Sequence, residues 1–441
     1  VCTQVNPDMM PALEGIVYLP DFSITISRSE QLTFAREHLN EIFGKRYPKY
    51  FRKEHVHYYK EESPEELAMI NYTSGTTGFS KGVMLPYRAL WGNIDYVLKC
   101  LTPNVKPGSN LVSILPMAHM YGLAVEFLFG FINGCHLYFL NRMPSPSLIA
   151  EAFAEVKPRL IVAVPLVVEK IIRRKVLAEV QTNRMKLLLN MPVINKKIKQ
   201  HIRDRIMEAF GGNAYEIIVG GAPLNQGIEE FLNSVGVPIT IGYGTTETAP
   251  LITFANYDNY KIASCGPVVD HMEAKVVSPD PANVPGELIA KGMNVMLGYY
   301  KNEEATNAVL DKDGWFHTGD LATMAPSGHI YIKGRIKNML LGANGQNVYP
   351  EEIEDKLNNM PLVGESIIIQ RDTKLIALVH PEIEDKEAMD FDDDDVKGIM
   401  DENLKTLNNQ LPPFCKIAAI EIQKEEFQKT AKKSIKRYLY K

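Results

Sequence analysis

The chain has 441 residues, of which 45% are hydrophobic and 23% charged, with a net charge of −5. That length holds roughly two or three domains and a sizeable core, and the slightly acidic balance excludes a dedicated nucleic-acid binder with its basic stripe. The five cysteines (Cys2, Cys100, Cys135, Cys265 and Cys415) are scattered and never spaced CxxC, which excludes a disulfide scaffold and a zinc ribbon and suits a reducing cytoplasm.

In chain order, short apolar, β-branched runs alternate with helix-like stretches. "LAMINYT" (67–73), "NLVSIL" (110–115), "HLYFL" (136–140), "LIVAVP" (160–165), "EIIVGG" (216–221) and "PITIGYG" (238–244) are predicted as buried strands. Helices are predicted at 147–156 and 227–235. This alternation predicts an α/β fold with a parallel-rich body. The apolar stretch 111–140 is interrupted by Pro116, His119, Glu126, Asn133 and His136. It is therefore read as buried core, since a spanning helix wants about 20 clean apolar residues and a central Glu is costly.

Two charged segments follow. "KKIKQHIRDR" (196–205) has apolar residues at helical spacing and reads as a solvated amphipathic helix; contact with acidic phospholipid head groups is the alternative. "DFDDDD" (390–395) reads as a solvated loop or helix start rather than a binding tail. From Ala274 onward the texture changes to shorter strands, "AKVVSP" and "GELIAKG", which predicts a β-rich subdomain. After "YIKGRIKN" (331–338) comes a smaller α+β piece, with a helix from Pro350 and strands at 366–370 and 375–379. The expected division is 1–334 and 335–441, with the boundary near Arg335–Lys337.

The strongest local signal is "YTSGTTGFSKG" (72–82), which follows a strand and holds three glycines, three threonines, two serines and a lysine. Glycines let backbone N–H groups approach an anion, hydroxyls add donors, and Lys81 adds positive charge. That chemistry suits a polyphosphate. A Walker A loop is excluded, because Lys81 is followed by Gly82 rather than Ser or Thr.

From this loop to near the C-terminus, the sequence resembles the adenylate-forming acyl-CoA synthetases. "YTSGTTGFSKG" resembles their phosphate loop, and "LPMAHMYGL" (115–123) the segment beside the acyl pocket. "VGGAPL" (219–224) resembles an adenine-pocket segment, "GYGTTET" (242–248) the nucleotide and magnesium motif, and "GWFHTGD" (314–320) the ribose motif. "KGRIKNMLLGANGQNVYPEEIE" (333–354) resembles the hinge and its following loop. "VAVPLVVEKIIRRKV" (162–176) looks like the long-chain fatty acyl-CoA synthetase branch.

The resemblance implies a large multi-subdomain body and a small mobile C-terminal domain that rotates about Lys337. The segment before Tyr72 is short, so the family's early N-terminal region is expected to be largely absent. The implied activity is ATP-dependent conversion of a medium- or long-chain fatty acid to an acyl-adenylate and then to its coenzyme A thioester, with Mg2+. The expected partners are these small molecules, without nucleic acid. The expected place is cytoplasmic, with peripheral contact at the inner face of a membrane.

The site residues that the resemblance implies also make chemical sense. Nucleotide contacts fall on Thr73, Ser74, Gly75, Thr76, Thr77, Gly78 and Lys81, on Gly221, Ala222 and Pro223, and on Gly242, Tyr243, Gly244, Thr245 and Thr246. Tyr243 offers a flat face for adenine, Asp320 an acceptor for ribose hydroxyls, and Arg335 a planar fork for ribose or phosphate. Magnesium falls to Glu247 and Thr73, since an ion bound mainly through substrate phosphates needs only one or two protein carboxylates. His119 is read as shaping the acyl or thiol channel. In "FQKTAKKSIKRYLY" (427–440), Ser434 stands where the family's adenylation lysine is expected. Lys433, then Lys432, are the substitutes. A ligase loading a carrier protein, and a nucleotide-binding relative without catalysis, are the alternatives.

Overall fold

The computed structural model describes residues 6–18, 23–46, 49–50, 52, 63–73, 80–142, 144–172, 192–342, 346–372, 374–382, 393–429 and 435–440. The chain forms two compact units, Val1–Ser63 and Pro64–Lys441. In the first, β1 (Gly15–Tyr18) pairs antiparallel with β2 (Ser23–Ser27), followed by α1 (Glu30–Glu37) and α2 (Leu39–Arg46). Ser29 caps α1, its hydroxyl accepting from the Leu32 N–H at 3.3 Å. Such a cap satisfies one of the donors a helix leaves free at its start.

The second unit opens with the hairpin of β3 (Leu67–Thr73) and β4 (Lys81–Pro86), then α3 (Tyr87–Leu101). A five-stranded sheet of wholly parallel pairs follows, built from β5 (Asn110–Ser113), β6 (His136–Phe139), β7 (Leu160–Ala163), β8 (Glu216–Val219) and β9 (Ile239–Ile241). Their order is β6-β5-β7-β8-β9. Every residue of β7 and β8 is buried; β7 accordingly reads as an unbroken apolar run rather than an alternating one, while β8 opens on the buried Glu216, which accepts from the Thr240 hydroxyl at 2.9 Å. The crossovers carry α4 (Phe129–Ile132), α5 (Pro146–Val156), α6 (Pro165–Ile172), α7 (Pro192–Ala209) and α8 (Gln226–Ser234).

The stretch 111–140 folds as β5, a π-helix over Gly122–Leu128, α4 and β6. Leu111, Val112, Ala124, Val125 and Phe129 are buried in the main core. Among the described residues no helix is long and apolar enough to cross a membrane. The amphipathic reading of 196–205 matches α7, where Ile202 and Ile206 are buried. Of the acidic run, Asp390–Asp392 lie outside the described residues, and Asp393 opens a helix.

A pair of short strands, β10 (Tyr243–Gly244) and β11 (Leu251–Thr253), leads into the β-rich part. There β12 (Met272–Val277), β13 (Gly286–Gly292), β15 (Phe316–Met324) and β16 (Ile330–Arg335) form a four-stranded antiparallel sheet. Between them β14 (Gly298–Tyr299) pairs with β4, and the short α9 (Glu303–Asn307) follows. After a single 3-10 turn over Ile336–Asn338 come β17 (Leu340–Leu341), β18 (Asn347–Val348), α10 (Pro350–Leu357), β19 (Val363–Arg371), β20 (Lys374–Pro381), α11 (Asp393–Gln410) and β21 (Ile417–Ile422). This C-terminal part packs its own core around Val348, Ile353, Leu357, Leu407 and Ile417.

Candidate functional site

The carboxyl ends of the parallel strands open on one cavity of about 3550 Å³, lined by Ile114, Val164, Gly220 and Gly242 just beyond β5, β7, β8 and β9. Open α/β sheets bind their ligands beyond this edge. Two glycines let the backbone turn there. Gly221 has φ of +84°, in the left-handed region open to glycine. At Gly244 a Cβ would lie 1.7 Å from the Pro250 carbonyl oxygen, so no side chain fits.

Tyr243 and Asp320 come from different sheets and meet at the cavity wall. The Tyr243 hydroxyl donates to Asp320 Oδ2 at 2.6 Å, and Arg335 Nε pairs with Asp320 Oδ1 at 3.1 Å. Asp320 and Arg335 are directly opposite each other in the β15–β16 register. Asp320 is 5% exposed; burial raises its pKa against the pull of Arg335 and the Tyr243 hydroxyl. Burial also holds the Tyr243 phenol well above its usual range. The preceding turn is fixed by Glu287, which faces His317 Nδ1 at 2.9 Å and accepts from the Gly319 N–H at 3.2 Å.

Glu247 is pinned at both ends. Its carbonyl accepts from the Met296 N–H at 2.9 Å, and its Oε1 accepts from the Tyr299 hydroxyl at 2.9 Å. The ammonium of Lys81 stands 4.7 Å from the centre of the same Tyr299 ring. Thr245 and Thr246 precede Glu247, with the Thr245 N–H donating to Thr248 Oγ1 at 3.1 Å. Thr73 faces Lys81 across the hairpin, and the Ser80 hydroxyl donates to the Thr73 carbonyl at 2.9 Å.

Lys337 lies on the 3-10 turn and lines the cavity. Burial, helped by the charges of Arg335 and Lys81, brings its pKa down to about 8. Gly221, Ala222, Pro223 and Gly242 line the wall, as does the half-buried His119. Ser74, Gly75, Thr76, Thr77 and Gly78 of the loop, and Lys432, Lys433 and Ser434 near the end, lie outside the described residues.

Four residues carry contacts for which no site role was read from the sequence. Tyr299 links Lys81 and Glu247 but stands 52 positions from Glu247, with no local pattern to mark it. Tyr121 packs its ring 3.1 Å from where a Cβ on Gly220 would sit and donates to the Ile218 carbonyl at 3.0 Å. Glu126 is buried in the π-helix and accepts from the Ser113 hydroxyl at 3.0 Å and from the Ile114 and Leu115 N–H groups at 3.2 and 3.1 Å. Burial pushes its carboxyl up to about 8 against these donors. Asp355, on α10, accepts from the Gln226 N–H at the start of α8 at 3.1 Å. Glu126 was visible in the sequence as the one acid inside an apolar run, and Tyr121 lies in the 115–123 segment; Tyr299 and Asp355 carry no such mark.

Fold and cavity together define an α/β protein with a polar, mixed-charge site beyond its parallel sheet. The chain belongs to the family described as AMP-binding enzyme, which matches residues 19–300. The pattern described as AMP-binding enzyme C-terminal domain matches residues 337–440. It is 35% identical over 310 residues to a long-chain-fatty-acid–CoA ligase of Escherichia coli, covering 68% of this chain and 50% of that protein. It is 27% identical over 345 residues to the human long-chain-fatty-acid–CoA ligase ACSBG2, covering 73% of this chain and 51% of that one. The chain thus spans about half the length of the curated relatives it matches. Among solved structures it resembles ATP-bound MatB from Rhodopseudomonas palustris, with a TM-score of 0.67 at 26% identity over 87% of this chain and 69% of that one.

Proposed function

We propose that the protein activates a medium- or long-chain fatty acid with ATP to an acyl-adenylate and passes the acyl group to coenzyme A. The observation that carries this reading is the pairing of Tyr243 and Arg335 on the buried Asp320, which line the same cavity as Glu247 and Lys81. The first group suits a nucleoside and the second a polyphosphate. The names of the curated relatives support a fatty acid and coenzyme A as the other substrates.

In this reading Tyr243 lies against the adenine and Asp320, oriented by its two partners, takes the ribose hydroxyls. Gly221, Ala222, Pro223 and Gly242 form the adenine wall. The fatty acid carboxylate attacks the α-phosphorus, a P–O bond forms, and the bond to pyrophosphate breaks. Lys81, with Thr73 and the loop residues 74–78, offsets charge on the departing pyrophosphate. Lys433 supplies a cation near the attacking carboxylate. The thiol sulfur of coenzyme A then bonds to the acyl carbon, AMP leaves, and the thiol proton is lost. His119 shapes the channel for acyl chain or thiol. The parts 1–334 and 335–441 reorient about Lys337 between these steps.

The residues present fit a magnesium ion. Glu247 lines the cavity with one oxygen committed to Tyr299, leaving the other for a hard cation, and Thr73 stands at the mouth of the loop. Among the described residues no group of three or more His, Cys, Asp or Glu is poised for a metal, and an ion held chiefly by phosphates needs none. Bound magnesium would supply charge to offset that of the phosphates. The cysteine pattern suits cytoplasmic work, with fatty acid delivered at the inner face of a membrane.

ATP–pyrophosphate exchange with a panel of fatty acids tests adenylation. A second assay offering coenzyme A against a holo-carrier protein tests the acceptor. Exchange with long-chain acids and thioester formation with coenzyme A are expected; no exchange with any fatty acid would overturn the reading.

A further inference from the structure

A second cleft, of about 490 Å³, lies away from the cavity just described, between α7 and the end of α8. Lys196, Lys199 and Arg203 line one wall, and the residues from Asn233 to Gly236 line the other. At about 100° per residue the three cations fall within about 60° of one another around α7. Among the described residues no carboxylate lines the cleft. Asp204, the nearest acid in sequence, already accepts from Gln200 Nε2 at 2.7 Å. Arg203 Nε is buried and has no acceptor among the described residues. A buried donor without a partner is rare in folded proteins and calls for a ligand, an ion or a water.

Helix capping does not account for the cluster. The Phe231, Leu232 and Asn233 carbonyls at the end of α8 already accept from the Val235, Val237 and Gly236 N–H groups at 3.2, 2.9 and 2.9 Å. What the cleft lacks, among the described residues, is negative charge with several acceptor oxygens. We infer that this cleft binds a phosphate-bearing anion, with Lys196 and Lys199 as its charges and Arg203 as its fork. A phosphate monoester matches that set: it carries more than one negative charge and offers acceptors in several directions. The phosphate of a membrane lipid head group and a free phosphate in solution share this chemistry.

The experiment has two arms on the full chain. One measures co-sedimentation with phosphatidylcholine vesicles with and without about 30 mol% phosphatidic acid, a surface that attracts clustered Lys and Arg. The other titrates inorganic phosphate and pyrophosphate by calorimetry. The variants are Lys196→Gln/Lys199→Gln, Arg203→Lys, and the charge-matched Lys197→Gln/Arg205→Gln on the far side of α7. The first is expected to weaken binding at least tenfold and Arg203→Lys severalfold, while the charge-matched pair changes it less than twofold. Thermal unfolding of each variant shows that the fold is kept. Binding only to vesicles names a lipid head group, and binding of soluble phosphate names a free anion; either supports the site. No binding in either arm, or equal loss in the charge-matched pair, overturns it.

Discussion

Asp320 gives one carboxylate oxygen to the Tyr243 hydroxyl at 2.6 Å and the other to Arg335 Nε at 3.1 Å. The buried acid is therefore oriented before any nucleotide arrives, and removing it leaves a phenol and a guanidinium without their acceptor. Asp320→Asn is expected to weaken ATP binding by roughly 1–3 kcal/mol, the scale of hydrogen bonds to a charged group. Tyr243→Phe should weaken it less than Asp320→Asn, because it keeps the ring face and the carboxylate. Calorimetric titration of both variants is the check, and unchanged affinity in Asp320→Asn would remove the ribose role.

Glu247 is expected to be indispensable to magnesium-dependent exchange. Glu247→Gln retains an oxygen for the Tyr299 hydroxyl, so the fold should survive while pyrophosphate exchange falls by orders of magnitude. Tyr299→Phe should lower exchange only severalfold, since the carboxylate remains and only its anchor is lost. Exchange in Glu247→Gln within a few-fold of the parent would refute the assignment.

A pH signature follows from Glu126. Burial pushes its folded pKa up to about 8, above the ordinary carboxyl value of 4.5, so between those values the folded state holds a proton that the unfolded chain has released. Stability therefore falls as pH rises through that window. Comparing denaturant unfolding at two pH values about two units apart within it should show a loss on the order of 2 kcal/mol. Glu216 and Glu354, each pushed up to about 7 by burial, add slope of the same sign at lower pH, so Glu126→Gln should flatten the slope chiefly between about pH 7 and 8; an identical slope there would remove Glu126 as a cause.

Gly244 tests how tightly the nucleotide motif is wrapped. An added Cβ would meet the Pro250 carbonyl oxygen at 1.7 Å, backbone against side chain. Gly244→Ala is expected to lower Tm by several degrees and to weaken nucleotide binding at the same time. A variant with parental Tm and affinity would mean that the β10–β11 turn moves freely.

Periodicity and apolar runs made the body legible: β7 and β8 are buried on both faces, so Leu160–Ala163 and residues 217–219 stand out as short apolar runs. The nucleotide half of the candidate site was legible because Tyr243, Glu247, Asp320 and Arg335 each sit in a short motif with unusual composition. Tyr299 and Asp355 were not, because their roles arise from contacts across 52 and 129 residues, which no local spacing encodes. The π-helix around Glu126 was equally hidden, since its apolar residues fit a helix of any pitch.

Asp355 ties α10 to the start of α8. The Asp355 carboxylate accepts the Gln226 N–H at 3.1 Å, at the positive end of a body helix, although Asp355 belongs to the C-terminal α10. A carboxylate at a helix start gains from both the hydrogen bond and the helix dipole. Beside it, a Cβ on Gly227 would lie 2.8 Å from Asn359 Oδ1, and Lys333 pairs with Glu352 at 3.3 Å. Loss of Asp355 removes the carboxylate at the α8 start from this small set while leaving the core around Val348 and Leu357 intact. Asp355→Ala should therefore leave Tm within a few degrees but raise the rate of limited proteolysis near the 336–338 turn severalfold, with Asp355→Asn in between. If Asp355→Ala is cut no faster than the parent, this contact does not hold the C-terminal part in place, and the 3-10 turn and Lys333–Glu352 must suffice.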